Sequence, residues 1–199
     1  MTSNPSGLFR LDGANLVLVG AADFEALSHH SIALTAKDAY GGEVTRTFDL
    51  AVTNVVETNP LTLRGTRGAD RLTGEAGSDK LYGGLSNDIF TGGAGRDIFV
   101  FDTRPNKRTN LDKIIDFSVR DDTVHLVKTF FSKISKKDVL SGSAFYAGSK
   151  AHDATDRVIY NKKTGALFYD QDGSGAKAAI QFATVSKNLK MTAHDFYVL

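Results

Sequence analysis

Apolar and polar residues alternate with a period of two along much of the chain, which is the pattern of half-buried β-strands. Upstream of residue 59 the alternating segments are 16–19, 31–35 and 45–52. The Gly41-Gly42 pair predicts a turn before the last of these. Downstream of residue 104 the short alternating segments are 113–117, 123–127, 157–160, 166–169 and 179–183.

One segment departs from this alternation. Residues 128–140 carry Phe130, Phe131, Ile134 and Leu140 at spacings that predict an amphipathic helix. The rest of the pattern predicts a mostly β protein, with a change of character after Asn59-Pro60 that marks a domain boundary.

A nine-residue repeat lies between the two alternating zones. Its four units begin at Gly65, Gly74, Gly83 and Gly92. Each has an aspartate in its sixth position: Asp70, Asp79, Asp88 and Asp97. Each has a large apolar residue in its eighth: Leu72, Leu81, Phe90 and Phe99. A flexible linker rich in Gly and Asp is the alternative, but a linker has no reason to repeat an apolar residue in phase.

The repeat has the composition of a stacked calcium-binding turn. Glycine allows the tight turn that points carbonyl groups inward, and the sixth-position carboxylate adds the oxygen of a hard cation site. The apolar eighth position would lie on a short strand and stack inside the coil, so the units stabilise one another only together. The glycines expected to supply carbonyl ligands are Gly65, Gly74, Gly83, Gly84, Gly92, Gly93 and Gly95.

The units differ in how complete they are. Thr66 and Glu75 replace the second glycine, and Ser86 replaces the fourth. Only the unit that begins at Gly92 has every glycine of the pattern. We therefore expect the first two turns to bind calcium more weakly.

These residues match the GGxGxDxUx nonapeptide, and the chain resembles the RTX, or hemolysin-type, calcium-binding repeat family over residues 61–199. The resemblance implies a parallel β-roll in which two nonapeptides form one coil and calcium lies between turns stacked on the same side. It also implies that Asp70 shares an ion with the Gly83 turn and Asp79 one with the Gly92 turn.

Acidic motifs follow the repeats. The segments 112–117 and 121–126 resemble the family's roll-closing pattern, which makes Asp112, Asp116 and Asp122 candidate ligands; exposed acids on plain strands are the alternative. A hairpin is predicted at 157–169. It leads into Asp170 and Asp172, which form either a calcium site or an Asp-Gly turn. An EF-hand is excluded because its twelfth position is Gln181.

The N-terminal zone resembles the later part of a bacterial cadherin-like β-sandwich. The motifs that carry this resemblance imply calcium ligands at Asp23, Glu25, Asp38 and, less directly, Glu57. Only three or four strands are evident where such a sandwich needs about seven, so an incomplete sheet with surface acids is the alternative. The predicted domains are a partial cadherin-like domain over 1–58, a β-roll over 59–104, and a C-terminal β cap and export region over 105–199.

Composition excludes several functions. A net charge of +1 gives no electrostatic reason to expect nucleic acid or an acidic membrane, and the absence of Cys excludes disulfides and thiolate sites. No apolar run reaches the ~18 residues of a membrane span. No cleaved N-terminal signal is expected, and no catalytic motif is present, so we expect no enzyme and no catalytic residue.

The sequence therefore predicts a calcium-binding module of a secreted RTX protein that serves surface structure or adhesion through a cell-surface or matrix partner. The alternative is the C-terminal export and folding domain, or a fragment, of a larger secreted protease or lipase. The resemblance further implies extracellular localisation through a type I secretion transporter that reads residues 192–199. Those residues also fit a last β-strand.

Overall fold

The computed structural model describes residues 6–20, 22, 27–53 and 58–199. The chain divides into two compact units, Met1–Val56 and Glu57–Leu199. Within these described residues nearly all regular structure is β, with two short 3-10 helices, Gly142–Ala144 and Ala193–Asp195. No helix among them is long and apolar enough to cross a membrane.

The first unit contains two antiparallel hairpins. Strands β1 (Phe9–Asp12) and β2 (Asn15–Leu18) form one, and β3 (His29–Lys37) and β4 (Glu43–Ala51) form the other. The predicted Gly41-Gly42 turn joins β3 to β4, with Gly41 at a φ of +90°. Asp23, Glu25 and Glu57 lie outside the described residues.

The nonapeptide repeats form the two faces of a parallel roll. The five roll strands are β5 (Thr62–Arg64), β6 (Arg71–Thr73), β7 (Lys80–Tyr82), β8 (Ile89–Thr91) and β9 (Ile98–Phe101). Strands β5, β7 and β9 pair in parallel on one face, and β6 and β8 on the other, so that each strand meets the strand two units later. This is the β-roll that the repeat predicted.

The roll continues without a break into the C-terminal region. The remaining strands are β10 (Asp112–Ile114), β11 (Thr123–Leu126), β12 (Asp138–Val139), β13 (Phe145–Tyr146), β14 (Val158–Asn161), β15 (Ala166–Tyr169), β16 (Ile180–Thr184) and β17 (Phe196–Val198). One face becomes a six-stranded sheet in the order β12-β17-β11-β9-β7-β5. The other becomes a seven-stranded sheet in the order β13-β14-β15-β16-β10-β8-β6.

The eighth positions of the repeats stack inside the roll as expected. Leu81, Phe90 and Phe99 are fully buried, and the Phe90 and Phe99 ring centroids lie 5.9 Å apart. Leu72, in the first coil, is only partly buried because no coil covers it on the upstream side. The same apolar core extends into the C-terminal region, where Phe182 and Phe196 are buried. One continuous core therefore joins the roll and its cap.

The predicted helix over 128–140 is wrong. Its residues form isolated turns that end in β12, although Phe131, Ile134 and Leu140 are buried as the pattern required. The main-chain N–H of Leu140 donates to the Phe196 carbonyl oxygen (2.9 Å), so the segment pairs with β17. Tertiary pairing with an edge strand outweighs the helical spacing.

The hairpin predicted after residue 157 is confirmed. Strands β14 and β15 pair antiparallel, and the Gly165 N–H donates to the Asn161 carbonyl oxygen (2.8 Å) to close the turn. Gly165 has a φ of +81°, which a side chain would strain.

Candidate metal centre

The sixth-position aspartates form two ladders that run along the roll. From Asp79 onward, each carboxylate accepts, through Oδ1, the main-chain N–H of the residue in the same position one coil earlier. On the six-stranded sheet these bonds run from Leu61 to Asp79 (2.7 Å), Asp79 to Asp97 (2.9 Å) and Asp97 to Asp122 (3.0 Å). On the seven-stranded sheet they run from Asp70 to Asp88 (2.9 Å) and from Asp88 to Asp112 (3.0 Å).

The ladders explain why the position requires aspartate. One oxygen of the side chain, Oδ1, must reach the N–H group of the earlier coil, while the other, Oδ2, stays inside its own turn. A short carboxylate does both, and a neutral side chain would lose the charge-assisted bond to the N–H group. Asp112 and Asp122 therefore extend the ladders past the last complete nonapeptide, and both are buried rather than exposed on plain strands.

The second oxygen of the inner aspartates has no partner. Asp79, Asp88 and Asp97 are between 0% and 1% exposed. No hydrogen-bond donor among the described residues reaches their Oδ2 atoms, and no ion pair within that part of the chain involves them. A buried charged oxygen without a partner is costly, so a positive charge is required next to it.

The pKa values of the ladder carboxyl groups also indicate negative charge without a compensating positive charge. Burial raises the pKa of Asp97 to about 6, and the neighbouring Asp122, Asp79 and Asp116 carboxylates add to this. Burial, reinforced by Asp88, raises the pKa of Asp112 to about 7. Burial also raises the pKa of Asp88. The ladders concentrate negative charge that nothing in the described chain neutralises, and a bound dication would favour the ionised form.

The glycines supply the space around these oxygens. An ideal Cβ placed on Gly65 would lie 2.8 Å from the Asp70 Oδ2 atom and would overlap the Gly83 carbonyl oxygen. An ideal Cβ on Gly74 would overlap the Asp79 Oδ2 atom and lie 2.7 Å from the Gly92 carbonyl oxygen. The roll thus brings Asp70 close to the Gly83 turn and Asp79 close to the Gly92 turn, and the sharing of an ion within each pair stays a prediction.

The same close approach of the first glycine to the aspartate carboxylate occurs in the third and fourth turns. Ideal Cβ atoms on Gly83 and Gly92 would lie 3.1 Å and 2.9 Å from the carboxyl carbons of Asp88 and Asp97. Gly84, Gly93 and Gly95 have φ values of +90°, +90° and +136°. An ideal Cβ on any of them would overlap a carbonyl oxygen of the earlier coil, on Thr66, Glu75 and Gly77 respectively. Carbonyl and carboxylate oxygens in a flexible loop are the ligands that calcium prefers.

The substituted repeat positions keep the turn geometry in two of three cases. Glu75 and Ser86 adopt φ values of +69° and +90° although they carry side chains. Thr66 is not among the residues with positive φ. The Thr66 N–H and hydroxyl donate instead to the Asp70 Oδ2 atom, at 2.6 and 3.0 Å.

Asp116 has a different role from the ladder residues. Its two oxygens accept the N–H groups of Gly92 (2.9 Å) and Gly93 (2.8 Å), so it braces the fourth turn from the following coil. Asp122 likewise accepts the Ser118 N–H through Oδ2 (2.8 Å).

Asp170 and Asp172 shape the loop after β15. Asp170 accepts the N–H groups of Asp172 (3.2 Å) and Gly173 (3.0 Å) through Oδ1, and burial raises its pKa. Asp172 accepts the Lys177 N–H through Oδ2 (3.1 Å). Its Oδ1 is buried, and no described donor reaches it. The pair forms the predicted Asp-Gly turn and keeps one free oxygen.

Asp38 lies in the first unit. Its Oδ1 accepts the N–H groups of Tyr40 and Gly42, both at 2.8 Å, in the turn between β3 and β4. This carboxylate holds the turn together.

Sequence reasoning missed several residues of this region. Asn87 holds the loop that follows the repeats against the third turn, because its Oδ1 accepts the Leu111 N–H (2.9 Å). Asn110 is buried within that loop and donates to the Thr103 hydroxyl (2.9 Å) and the Arg104 carbonyl oxygen (3.1 Å). A cluster of His152, Asp153 and Asp156 was also missed, in which Asp156 Oδ2 accepts the His152 and Asp153 N–H groups at 2.6 and 2.9 Å. One spacing recurs in this region. The residue four positions before an aspartate donates its main-chain N–H to that carboxylate, as Thr66 does to Asp70 and His152 to Asp156.

Fold and site together define a parallel β-roll with buried carboxylate ladders, the architecture of a cation-binding repeat module. Residues 64–99 match the RTX calcium-binding nonapeptide repeat family, in four copies. The cation of these repeats is therefore calcium. No curated protein matches the chain.

Among solved structures the chain is similar to the AlgE6R3 subunit of the mannuronan C5-epimerase from Azotobacter vinelandii. The identity is 22% and the TM-score 0.38, over 72% of this chain and 81% of that one.

Proposed function

We propose that this chain is a non-catalytic calcium-binding module of a secreted protein, whose roll folds when calcium binds. The observation that carries the proposal is the set of three buried Oδ2 atoms, on Asp79, Asp88 and Asp97, that no described donor reaches. Without a cation these carboxylates repel one another and stay desolvated, so the free energy of calcium binding becomes free energy of folding.

The test is circular dichroism of the full chain at rising calcium concentration, after calcium has been removed by a chelator. We expect a change from coil to β-structure at about 10⁻⁴ to 10⁻³ M calcium, the range of extracellular modules. Magnesium is the matched control, because its short, octahedral coordination does not suit a ring of carbonyl oxygens. A β-spectrum that is the same with and without chelator would overturn the proposal.

A second part of the proposal concerns export. Low cytosolic calcium would keep the roll unfolded for threading through a type I secretion transporter, and external calcium would fold it outside the cell. Residues 192–199 would carry the signal. Thr192 and Asp195 form a capping box around the short 3-10 helix, and β17 follows directly.

Deleting the C-terminus cannot test this, because Phe196 and Val198 are fully buried. A short polar tail added after Leu199, which is 37% exposed, masks the terminus and keeps the strand. With the transporter coexpressed, we expect loss of the chain from the medium. The same tail on the N-terminus is the control. Undiminished secretion of the C-terminally tailed chain, with calcium-induced folding intact, would refute the signal.

The role of the module in its parent protein has two candidates. One is surface structure or adhesion to a cell-surface or matrix partner, with a cadherin-like first unit that binds calcium through Asp23, Glu25 and Asp38. The other is the export and folding domain of a larger protease or lipase. A reading frame that encodes further cadherin-like repeats upstream would favour the first, and an upstream catalytic motif the second.

A further inference from the structure

The first turn of the roll and the turn before β11 hold their aspartates differently from the turns between them. In the first turn, Asp70 Oδ2 accepts the Thr66 N–H (2.6 Å) and the Thr66 hydroxyl (3.0 Å). In the turn before β11, Asp122 Oδ2 accepts the Ser118 N–H (2.8 Å). In the inner turns the corresponding oxygens of Asp79, Asp88 and Asp97 have no described donor.

The difference follows from the residue four positions before each aspartate. In the inner turns these residues are Glu75, Gly84 and Gly93, with φ values of +69°, +90° and +90°. Thr66 and Ser118 are not in this left-handed region. With an ordinary φ, their N–H groups point at the Oδ2 atom of their own turn.

A carboxylate oxygen with protein donors needs no cation. The Thr66 hydroxyl is itself fixed, because it accepts the Gly68 N–H (3.0 Å) while it donates to Asp70. A calcium ion at this oxygen would have to displace both donors and then leave them unpaired. The Oδ2 atoms of the inner turns lose no such bonds when an ion arrives.

We infer that Thr66 takes the place of a calcium ion in the first turn, with Ser118 doing the same before β11. The calcium ions of the ladders are then limited to turns whose Oδ2 atom has no described donor, of which the three inner carboxylates, Asp79, Asp88 and Asp97, have fully buried Oδ2 atoms. This rests on the proposed function, namely that the roll binds calcium. It gives the roll a first turn and a turn before β11 that form without metal, and inner turns that do not.

The test is a count of bound calcium ions by native mass spectrometry of the full chain. Because acidic residues outside the roll can also bind ions, the result is the difference between variants. We expect Asp88→Ala to lose one ion and Asp70→Ala to lose none.

The decisive variant is Thr66→Gly, which allows the first turn the left-handed conformation of Gly84 and Gly93. We expect it to gain one ion relative to the unaltered chain, and we expect Thr66→Gly/Asp70→Ala to lose that ion again. Thr66→Ser is the matched control, since it keeps both donors and should gain none.

The inference is overturned if Thr66→Gly leaves the ion count unchanged, or if Asp70→Ala alone loses an ion. Either result leaves the proposed function intact, because the roll still binds calcium. An unaltered chain that binds no calcium would instead remove the proposed function. If Asp70→Ala does not fold, the Thr66→Gly count decides by itself.

Discussion

A methyl group on Gly93 should disrupt the roll, whereas the same methyl group on Gly68 should not. Gly93 has a φ of +90°, and an ideal Cβ on it would overlap the Glu75 carbonyl oxygen and lie 2.6 Å from the carbonyl carbon. Gly68 lies outside the left-handed region, and the nearest atom to its ideal Cβ is the Thr66 hydroxyl oxygen at 3.7 Å. Both substitutions replace a repeat glycine by alanine, so a difference in stability between the two variants reports the close approach of Gly93 to the earlier coil and not the change of residue type.

Two costs add for Gly93→Ala. The left-handed conformation costs a residue with a side chain about 1–2 kcal/mol. Forcing the Glu75 peptide away from the new methyl group costs about 1–3 kcal/mol, as overpacking does in a dense core. The free energy of unfolding should therefore fall by about 2–5 kcal/mol. For Gly68→Ala we expect a gain of about 0.4–1 kcal/mol, because alanine lowers the entropy of the unfolded chain.

Urea unfolding at a fixed, saturating calcium concentration, followed by circular dichroism, measures both values. Equal midpoints for the two variants would refute the reasoning, because the stacked turns would then not approach as closely as Gly93 and Glu75 do. A Gly93→Ala chain that does not fold even at high calcium agrees with the upper end of the range, provided that Gly68→Ala folds normally.

Three further predictions concern the turns and their charges. Ser86→Gly relieves a φ of +90° and should stabilise the chain by about 0.5–1 kcal/mol in the same urea assay, whereas Ala69→Gly, without positive φ, should destabilise it. Asp97→Ala should weaken calcium-induced folding more than Asp172→Ala; equal calcium midpoints would mean that the main sites are misplaced. In calcium-free buffer the chain should be more folded at about pH 5 than at about pH 8, because raised carboxyl pKa values make folding take up protons. That contribution is lost as the pH rises past the pKa values of Asp97 and Asp112, about 6 and 7, and a stronger β-signal at the higher pH would contradict the sign.

The sequence predicted the structure best in the repeats, where the nine-residue period is regular. Four units in phase predicted the roll, the stacking of Phe90 on Phe99 and the pairing of Asp79 with the Gly92 turn. The nine-residue period determines these features because each strand pairs with the strand two units later, so the register follows from counting.

Features that depend on distant partners could not be predicted in this way. The segment that ends at Leu140 has helical spacing, but its last residues pair with β17, and the Leu140 N–H donates to the Phe196 carbonyl oxygen fifty-six residues later. Thr66 and Ser118 look like defects or plain turn residues in the sequence, and their donor role appears only when their φ values are known. The motif of Asp116 predicts a ligand, but it gives no sign that the two carboxylate oxygens accept the N–H groups of Gly92 and Gly93.

The distance along the chain between paired strands changes sharply where the roll meets its cap. Leu81 pairs with Phe99, eighteen residues later, but Val124 pairs with Phe196, seventy-two residues later. Two doublings of loop length add about 1.2 kcal/mol of closure entropy, and pairings between distant segments form slowly. We therefore expect calcium to act on the fast, short-range part of folding, and the return of β17 to the edge of β11 to be the slower step. Until β17 has paired, a roll loaded with metal would still expose the edge of β11 that β17 covers in the folded chain. Two chains could pair through this edge in the interval between ion uptake and closure.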